Sequence, residues 1–571
     1  MVTKLPKVDV VTVGVGWMGA IVALELTKAG YKVVGLERGK DRSIADNLHQ
    51  HDELRYGYGL RAELLRDPAK DTFTHRHNEN QSARPFRSKM SVTMGVDVGG
   101  SGSHWQGQAI RFYPYDFEIR SKTIERYGVG RIENWMALQD WGITYDEIEP
   151  YYDKMEKTLG VSGEEDPVGV KRSNPYPNPP MPDTPLLKLF REAAKSSGYH
   201  PFSSPGAIAT ESYKNPDGAQ YGACQYCAYC MFFSCEYGAK ADPAVHVVPL
   251  AKKTGNYEVR THAYVKRILY NGNKATGVLY VDTQTGEEFE QPAEIVALTA
   301  FQMNNVRLLL LSGIGKPYNP KNGTGVIGRN YTDHTLYPAS VGYFEDKKFN
   351  LYAGSGSNVI AVTDFAGDNV DHTKLDYLHG IQITCSQLGL LPIGYYSTVP
   401  YGTPTWGKEF KKNLLHYTYR NVVLSGQIGF IPSKYNYLDL DPTYTDEYGD
   451  PLIRITNDYT DNDKKLAQLV LDKQEELLKA MGVDILDKGI VPEHPHQFIG
   501  THTAGGAIMG EDPETSAVNS YMQMWDMDNL FVCGASAFPH HGVGNPTNTA
   551  GALTYRAAEG MIEYLKNGGS Q

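Results

Sequence analysis

Apolar runs and mixed stretches alternate along the N-terminal part of the chain. Residues 10–13 read Val-Val-Thr-Val, a β-branched run with almost no polar face. Such a run predicts a strand buried on both sides, as in a parallel sheet. A helical pattern follows over 20–29, then Gly30, then a second strand over 32–36 that ends at Glu37. Strand, helix and strand in that order make a βαβ unit. Further strands are predicted over 257–270 and 276–281. A strand over 294–298 leads into a helix that runs through Leu311 and stops at Gly313. Residues 335–490 differ: they are rich in Tyr and β-branched residues and end in a helix over 463–481. That block predicts an antiparallel sheet with flanking helices, inserted into the first domain. Helical stretches fill about 131–215, with a Pro-rich extended connector at 174–182.

At 571 residues the chain is long enough for two or more domains. Its net charge of -11 argues against a nucleic-acid partner, because phosphate binding needs a basic surface. An anionic substrate would need local positive groups. No stretch reaches the apolar length that spans a bilayer. The N-terminal residues run straight into the first strand, which leaves no room for a signal peptide. The expectation is a chain that is cytoplasmic or exported with a signal-bearing partner.

The turn after the first strand reads Gly14-Val-Gly16-Trp-Met-Gly19. The first glycine permits the tight turn, the second lets a pyrophosphate approach the backbone, and the third lets helix and strand pack closely. The helix N-terminus offers free N–H groups to phosphates. Glu37, at the end of the second strand, is placed to accept hydrogen bonds from ribose hydroxyls, and an acid there disfavours a 2′-phosphate. The motif alone does not separate FAD from NAD.

Four of the six cysteines lie close together, Cys224, Cys227, Cys230 and Cys235; Cys385 and Cys533 stand apart. Thiolates at such spacing can wrap an iron–sulfur cluster. Overlapping CxxC pairs suit a tetrahedral zinc poorly, and a two-residue gap strains a disulfide. An iron–sulfur cluster implies an outlet for single electrons.

Four segments carry a resemblance to the glucose–methanol–choline family of FAD oxidoreductases over essentially the whole chain. They are the first glycine motif with Glu37; Gly99-Gly100-Ser101-Gly102-Ser103-His104-Trp105-Gln106-Gly107, similar to a second flavin loop; Gly325-Val-Ile-Gly-Arg-Asn-Tyr-Thr-Asp333-His334; and residues 529–539 followed by Gly544-Asn545-Pro546-Thr547. The cysteines, the His75-Arg-His77-Asn78 segment and Ser103-His104-Trp105 resemble the flavoprotein subunits of membrane-bound sugar and sugar-acid dehydrogenases of the gluconate 2-dehydrogenase type.

The resemblance implies a Rossmann-like FAD-binding domain over 1–334, with the cysteine segment at 222–240. It also implies an α+β substrate domain on an antiparallel sheet over 335–490, and a return to the FAD domain over 491–571. It implies His502 as catalytic base and Asn545 as the group orienting the substrate hydroxyl; His540 and His541, just before Asn545 on the same loop, are candidate substrate contacts, since a positive imidazole there would suit a carboxylate. Flavin contacts are implied at Val265, Ala535, Asn545, Pro546 and Thr547, with His104 as a candidate covalent link. Cys224, Cys230 and Cys235 would hold a [3Fe–4S] cluster; if Cys227 also ligates, the cluster becomes [4Fe–4S]. The implied partners are a small signal-bearing subunit and a multihaem cytochrome c, which would place the chain at the periplasmic face of the inner membrane and touching the membrane only through them. The implied reaction takes D-gluconate to 2-keto-D-gluconate. Neutral sugars, polyols or glycosides, or a stand-alone oxidase, are the alternatives.

Overall fold

The computed structural model describes residues 2–48, 51–52, 63–88, 91–389, 398–495 and 501–567. The Val-rich strand Val8–Val13 lies between Val33–Leu36 and Glu288–Leu298, both parallel to it. Neighbours on both edges pair its backbone, helix Trp17–Lys28 packs on its face, and its last four residues are buried. Tyr257–Arg260 extends the sheet beyond Val33–Leu36, and Leu530–Val532 joins Glu288–Leu298 in parallel. Ala263–Asn271 and Lys274–Asp282 add an antiparallel meander. The strand predicted over 257–270 is therefore two strands. His262 interrupts it in the left-handed region, with φ 58, and its N–H bonds Gly39 instead of a ladder partner. Helices Trp17–Lys28, Tyr145–Leu159 and Thr547–Asn567 pack together against this sheet.

A second sheet is antiparallel throughout. In spatial order its strands are Ile485–Asp487, Ala339–Tyr343, Asn421–Ile428, Ile381–Ser386, Val359–Val362 and Phe202–Ser203. Helix Asp461–Ala480 crosses it. Thr460 caps that helix by accepting the Asp463 N–H, an arrangement worth about 1 kcal/mol. Leu466, Val470 and Leu477 recur at helical spacing and bury against the sheet, each contributing about 2 kcal/mol.

Two segments depart from the predicted layout. Within the 335–490 block, Tyr437–Thr445 and Pro451–Thr456 form a hairpin that leaves the second sheet and pairs in parallel with Thr74–Arg76. Leu438, Ile453 and Ile455 on it belong to the same core as the first glycine motif. Within the predicted 131–215 insertion, helix Pro185–Ser196 and strand Phe202–Ser203 join the second sheet instead. The stripe Leu186, Leu187, Phe190 finds its apolar complement in Ile360 and Ile383. No helix among the described residues is long and apolar enough to cross a membrane.

Candidate active site

The two glycine loops meet. Gly14 adopts φ 97, and its N–H bonds the Leu36 carbonyl at 2.8 Å. A Cβ on Gly19 would stand 2.1 Å from the Gly14 carbonyl oxygen, so only glycine lets this helix start against the strand. Gly99 donates its N–H to the Val15 carbonyl at 2.8 Å, which joins the second loop to the first. Ser101 Oγ accepts the Gly95 N–H, and Trp105 donates Nε1–H to the Ala241 carbonyl.

Gly14, Gly16, Glu37, Gly100, Ser101, His104, Trp105, Gln106, Gly107, Val265, Ala535, Asn545, Pro546 and Thr547 all line one cavity of about 930 Å³. Gly19 and Gly99 shape the loops without lining it. Two buried polar atoms along this wall have no protein partner, Trp17 Nε1 and His104 Nε2. Thr547 opens helix Thr547–Asn567 at the wall, where its free N–H groups favour negative charge. The unpaired Trp17 Nε1–H, the uncrowded backbone at Gly16 and a helix N-terminus fit a bound dinucleotide such as FAD. Glu37 Oε2 accepts the Val15 N–H at 3.1 Å and Oε1 the Gly39 N–H at 3.0 Å, which leaves each oxygen a further lone pair. Burial pushes its carboxyl up to about 7.

His502 and Asn545 line the same cavity. Gly500, part of the same sequence segment, lies outside the described residues. Strands Thr332–Asp333 and Thr503–Ala504 pair antiparallel, and this sets His334 against His502. The hydrogen-bond chain then assigns each proton. His334 Nε2–H donates to the Gly542 carbonyl at 3.0 Å, which leaves Nδ1 of the neutral ring as acceptor. His502 Nδ1–H donates to it, also at 3.0 Å. His502 Nε2 therefore carries a lone pair, which receives the Asn545 Nδ2–H at 2.9 Å. Burial holds His502 down to about 4 and His334 well below the usual imidazole range, so both rings are neutral near pH 7. A lone pair aimed beside an amide donor can take a hydroxyl proton. Sequence reasoning assigned no role to His334, although the Asp333-His334 step that marks it was in view.

His540 and His541, expected as substrate contacts, line no part of this cavity. Both are wholly buried. His540 accepts Trp141 Nε1–H, and the His541 ring lies 4.5 Å from that of His334. Chain proximity to Asn545 misled, because the loop turns between His541 and Gly544 and carries both rings into the core.

The cysteine segment abuts the second flavin loop. Phe232 donates its N–H to the His104 carbonyl at 2.8 Å. Buried Lys240 donates from Nζ to the carbonyls of Trp105, Cys230 and Phe233 at 2.8, 2.7 and 2.6 Å. Tyr226, Ala228 and Phe232 all take left-handed backbone, with φ 56, 73 and 71. Each such bend costs about 1 kcal/mol or more in a non-glycine residue and persists only where the surroundings impose it. The bends gather Cys224, Cys230 and Cys235 into one half-buried cluster with Met181, Ile208 and Ala239. All six cysteines are free. No three of the sulfurs lie within 4.8 Å of one another. Thiolates sharing one zinc stand about 3.8 Å apart, a spacing that no three of these sulfurs reach.

Comparison with known proteins agrees with this geometry. Family models described as GMC oxidoreductase match residues 126–336 and 432–554. The chain is 40% identical, over 99% of its length and 95% of the relative's, to a gluconate 2-dehydrogenase flavoprotein of Pantoea cypripedii. It is 30% identical to a 2-methyl-1,2-propanediol dehydrogenase of Mycolicibacterium austroafricanum, over 98% of this chain and 96% of that one. In fold it resembles a pyridoxine 4-oxidase from Mesorbium loti, with a TM-score of 0.60 at 17% identity over 98% of this chain and all of that one. The glycine loops, the shared cavity and the His–Asn pair thus stand in a chain that belongs to the GMC oxidoreductases, FAD-dependent enzymes acting on CH–OH groups.

Proposed function

We propose that this chain is the flavoprotein of a dehydrogenase that oxidises a secondary alcohol of a polyhydroxy substrate to a ketone, with D-gluconate the first candidate. The observation that carries the reading is the His502 Nε2 lone pair, 2.9 Å from the Asn545 amide on the wall of the cavity that also holds the glycine loops. The substrate hydroxyl would enter between these two groups. Asn545 donates to its oxygen, and His502 Nε2 accepts its proton as the carbon loses hydride. His334 keeps the His502 ring in the tautomer that can do so. Bound FAD would supply the hydride acceptor. Cys224, Cys230 and Cys235 would hold a [3Fe–4S] cluster, which would supply a one-electron outlet. The Lys240 and Phe232 contacts to the His104 segment support that placement. A small signal-bearing subunit and a multihaem cytochrome c would complete the enzyme at the periplasmic face of the membrane, with quinone as the final acceptor. The cysteine segment disfavours an oxygen-using oxidase, which has no need of such an outlet.

His104 is the proposed covalent anchor. Its Nε2 is buried, unpartnered and in the cavity wall, and burial lowers the ring to about 3, so the imidazole is neutral near pH 7. Acid precipitation of the holoprotein is expected to leave the yellow colour in the pellet, and the same treatment of His104→Ala to release it. Colour released from the wild type removes the anchor.

The substrate side of the cavity is a polar ladder. Gln382 pairs across the strands with Gln427, and Thr384 with Ser425, and all four line the cavity. Both Gln382 amide atoms are buried without a partner. The Lys and Arg residues lining the cavity are Arg38, Lys266 and Arg307, paired with Asp71, Glu288 and Asp446. Among the described residues, none of the cations lies on the ladder. Neutral donors and acceptors recognise hydroxyls, and this favours a second reading, a neutral sugar or polyol, beside the sugar acid. A dye-linked assay over both classes separates the two. Gln382→Leu is expected to raise KM about tenfold with little change in kcat, because it removes two substrate hydrogen bonds. It should also leave the free protein as stable or slightly more so, since the amide is unsatisfied there. An unchanged KM would remove the ladder from the substrate site.

A further inference from the structure

We infer that His77, Asp458 and His494 form a binding site for a divalent transition-metal ion of the zinc class, apart from the cavity and the cysteines. One ligand atom from each lies within 4.8 Å of the other two. The backbone builds this arrangement. His77 follows strand Thr74–Arg76 and Asp458 follows Pro451–Thr456, and the parallel register Thr456↔Arg76 brings the two strand ends side by side. The Asn457 N–H bonds the Arg76 carbonyl at 3.1 Å and holds that end closed. His494 reaches across from the returning chain, with Nδ1 3.0 and 3.1 Å from the two Asp458 carboxylate oxygens. Its ring centroid is 4.9 Å from that of His77. His77 Nδ1 is buried and has no hydrogen-bond partner. These residues include the second histidine of the His75-Arg-His77-Asn78 segment, which the flavin chemistry does not use.

A second trio marks what such a site requires. Asp116, His379 and His540 are equally close and fully buried. There His379 Nδ1 accepts the Gly380 N–H and His540 Nδ1 accepts Trp141 Nε1–H. Each neutral ring must then carry its proton on Nε2, the atom that faces Asp116, and offers no lone pair to a metal. That trio therefore turns two N–H groups toward Asp116, and no lone pair of a neutral ring is left for an ion. At the surface trio no backbone group claims His77 Nδ1. The contact between His494 and Asp458 is one that an ion can enter by displacing a proton.

Two imidazoles and one carboxylate suit Zn²⁺ and its neighbours, whereas Mg²⁺ and Ca²⁺ prefer oxygen sets. Three protein ligands leave the ion open to water on the exposed side, where the His494 side chain is 51% accessible. The site also has reach. His494 stands eight residues before His502. Asn457, next to Asp458, donates to Asp333 at 3.0 Å, one residue from His334. A bound ion therefore ties the chain entering the His502 segment to the hairpin beneath it, and should raise thermal stability by mass action.

The test is calorimetric titration of the complete protein, flavin and iron in place, with Zn²⁺. One saturable equivalent is expected, not displaced by excess Mg²⁺, together with a higher melting temperature. His494→Ala and His77→Ala should each weaken uptake at least about tenfold. Flavin reduction by substrate at the wild-type rate would show that both variants are folded. No saturable uptake by the wild type, or uptake unchanged in both variants, would overturn the site.

Discussion

Replacing His502 by alanine is expected to slow substrate-driven flavin reduction by about 10²–10⁴-fold, the usual contribution of a positioned general base. The flavin should stay bound, because His502 belongs to neither of the glycine loops proposed to hold it. Rapid mixing without oxygen reads this directly through the flavin band. The pH dependence gives a second signature. A base works only when deprotonated, and burial holds His502 down to about 4. Wild-type kcat/KM should therefore stay level through the ordinary imidazole range and fall only as the pH drops through about 4. The remaining activity of His502→Ala should lack that limb. A variant that keeps the wild-type rate would remove the base assignment. A wild-type profile that breaks near 6.5 would mean a ring far less buried than the geometry shows.

The second large effect concerns the cysteines. Cys230→Ser is expected to lose most of its iron and roughly 100-fold in turnover with a one-electron acceptor, while anaerobic flavin reduction changes by less than about threefold. The split follows from the layout: the cysteine segment is bonded to the His104–Trp105 loop through Phe232 and Lys240, whereas His502 is bonded to His334 and Asn545. Cys230 is the most buried of the four, and burial pushes its unligated thiol up to about 12, so iron must supply the driving force for its deprotonation. Cys227→Ser refines the assignment. Iron retained in that variant fits three ligands, and iron lost fits four. Iron content and turnover unaffected by Cys230→Ser would remove the electron outlet and bring the oxidase reading forward.

What the sequence made legible follows from the range of each interaction. The βαβ unit and its glycines were readable because every spacing involved lies within some thirty residues and each glycine answers a local steric demand. The helix at Asp461–Ala480 was readable from its apolar period, and its Thr460 cap sits where the pattern starts. The hairpin Tyr437–Thr456 was misplaced because its partner, Thr74–Arg76, lies about 380 residues away, and nothing local states that pairing. The proposed catalytic pair was legible only through resemblance, since His502 and Asn545 share no helical or strand period. His334 escaped notice because its role depends on a two-residue strand pairing with Thr503–Ala504. His540 and His541 were over-read for the converse reason: nearness in sequence to Asn545 concealed a turn that buries both.

Mixing the purified holoprotein with D-gluconate in the absence of oxygen, while following the oxidised flavin band, tests the central claim most directly. The account predicts that gluconate, or a polyol from the same screen, bleaches the band, and that His502→Ala slows the bleaching by at least about 100-fold. A band left unchanged by sugar acids, polyols and neutral sugars alike would contradict it.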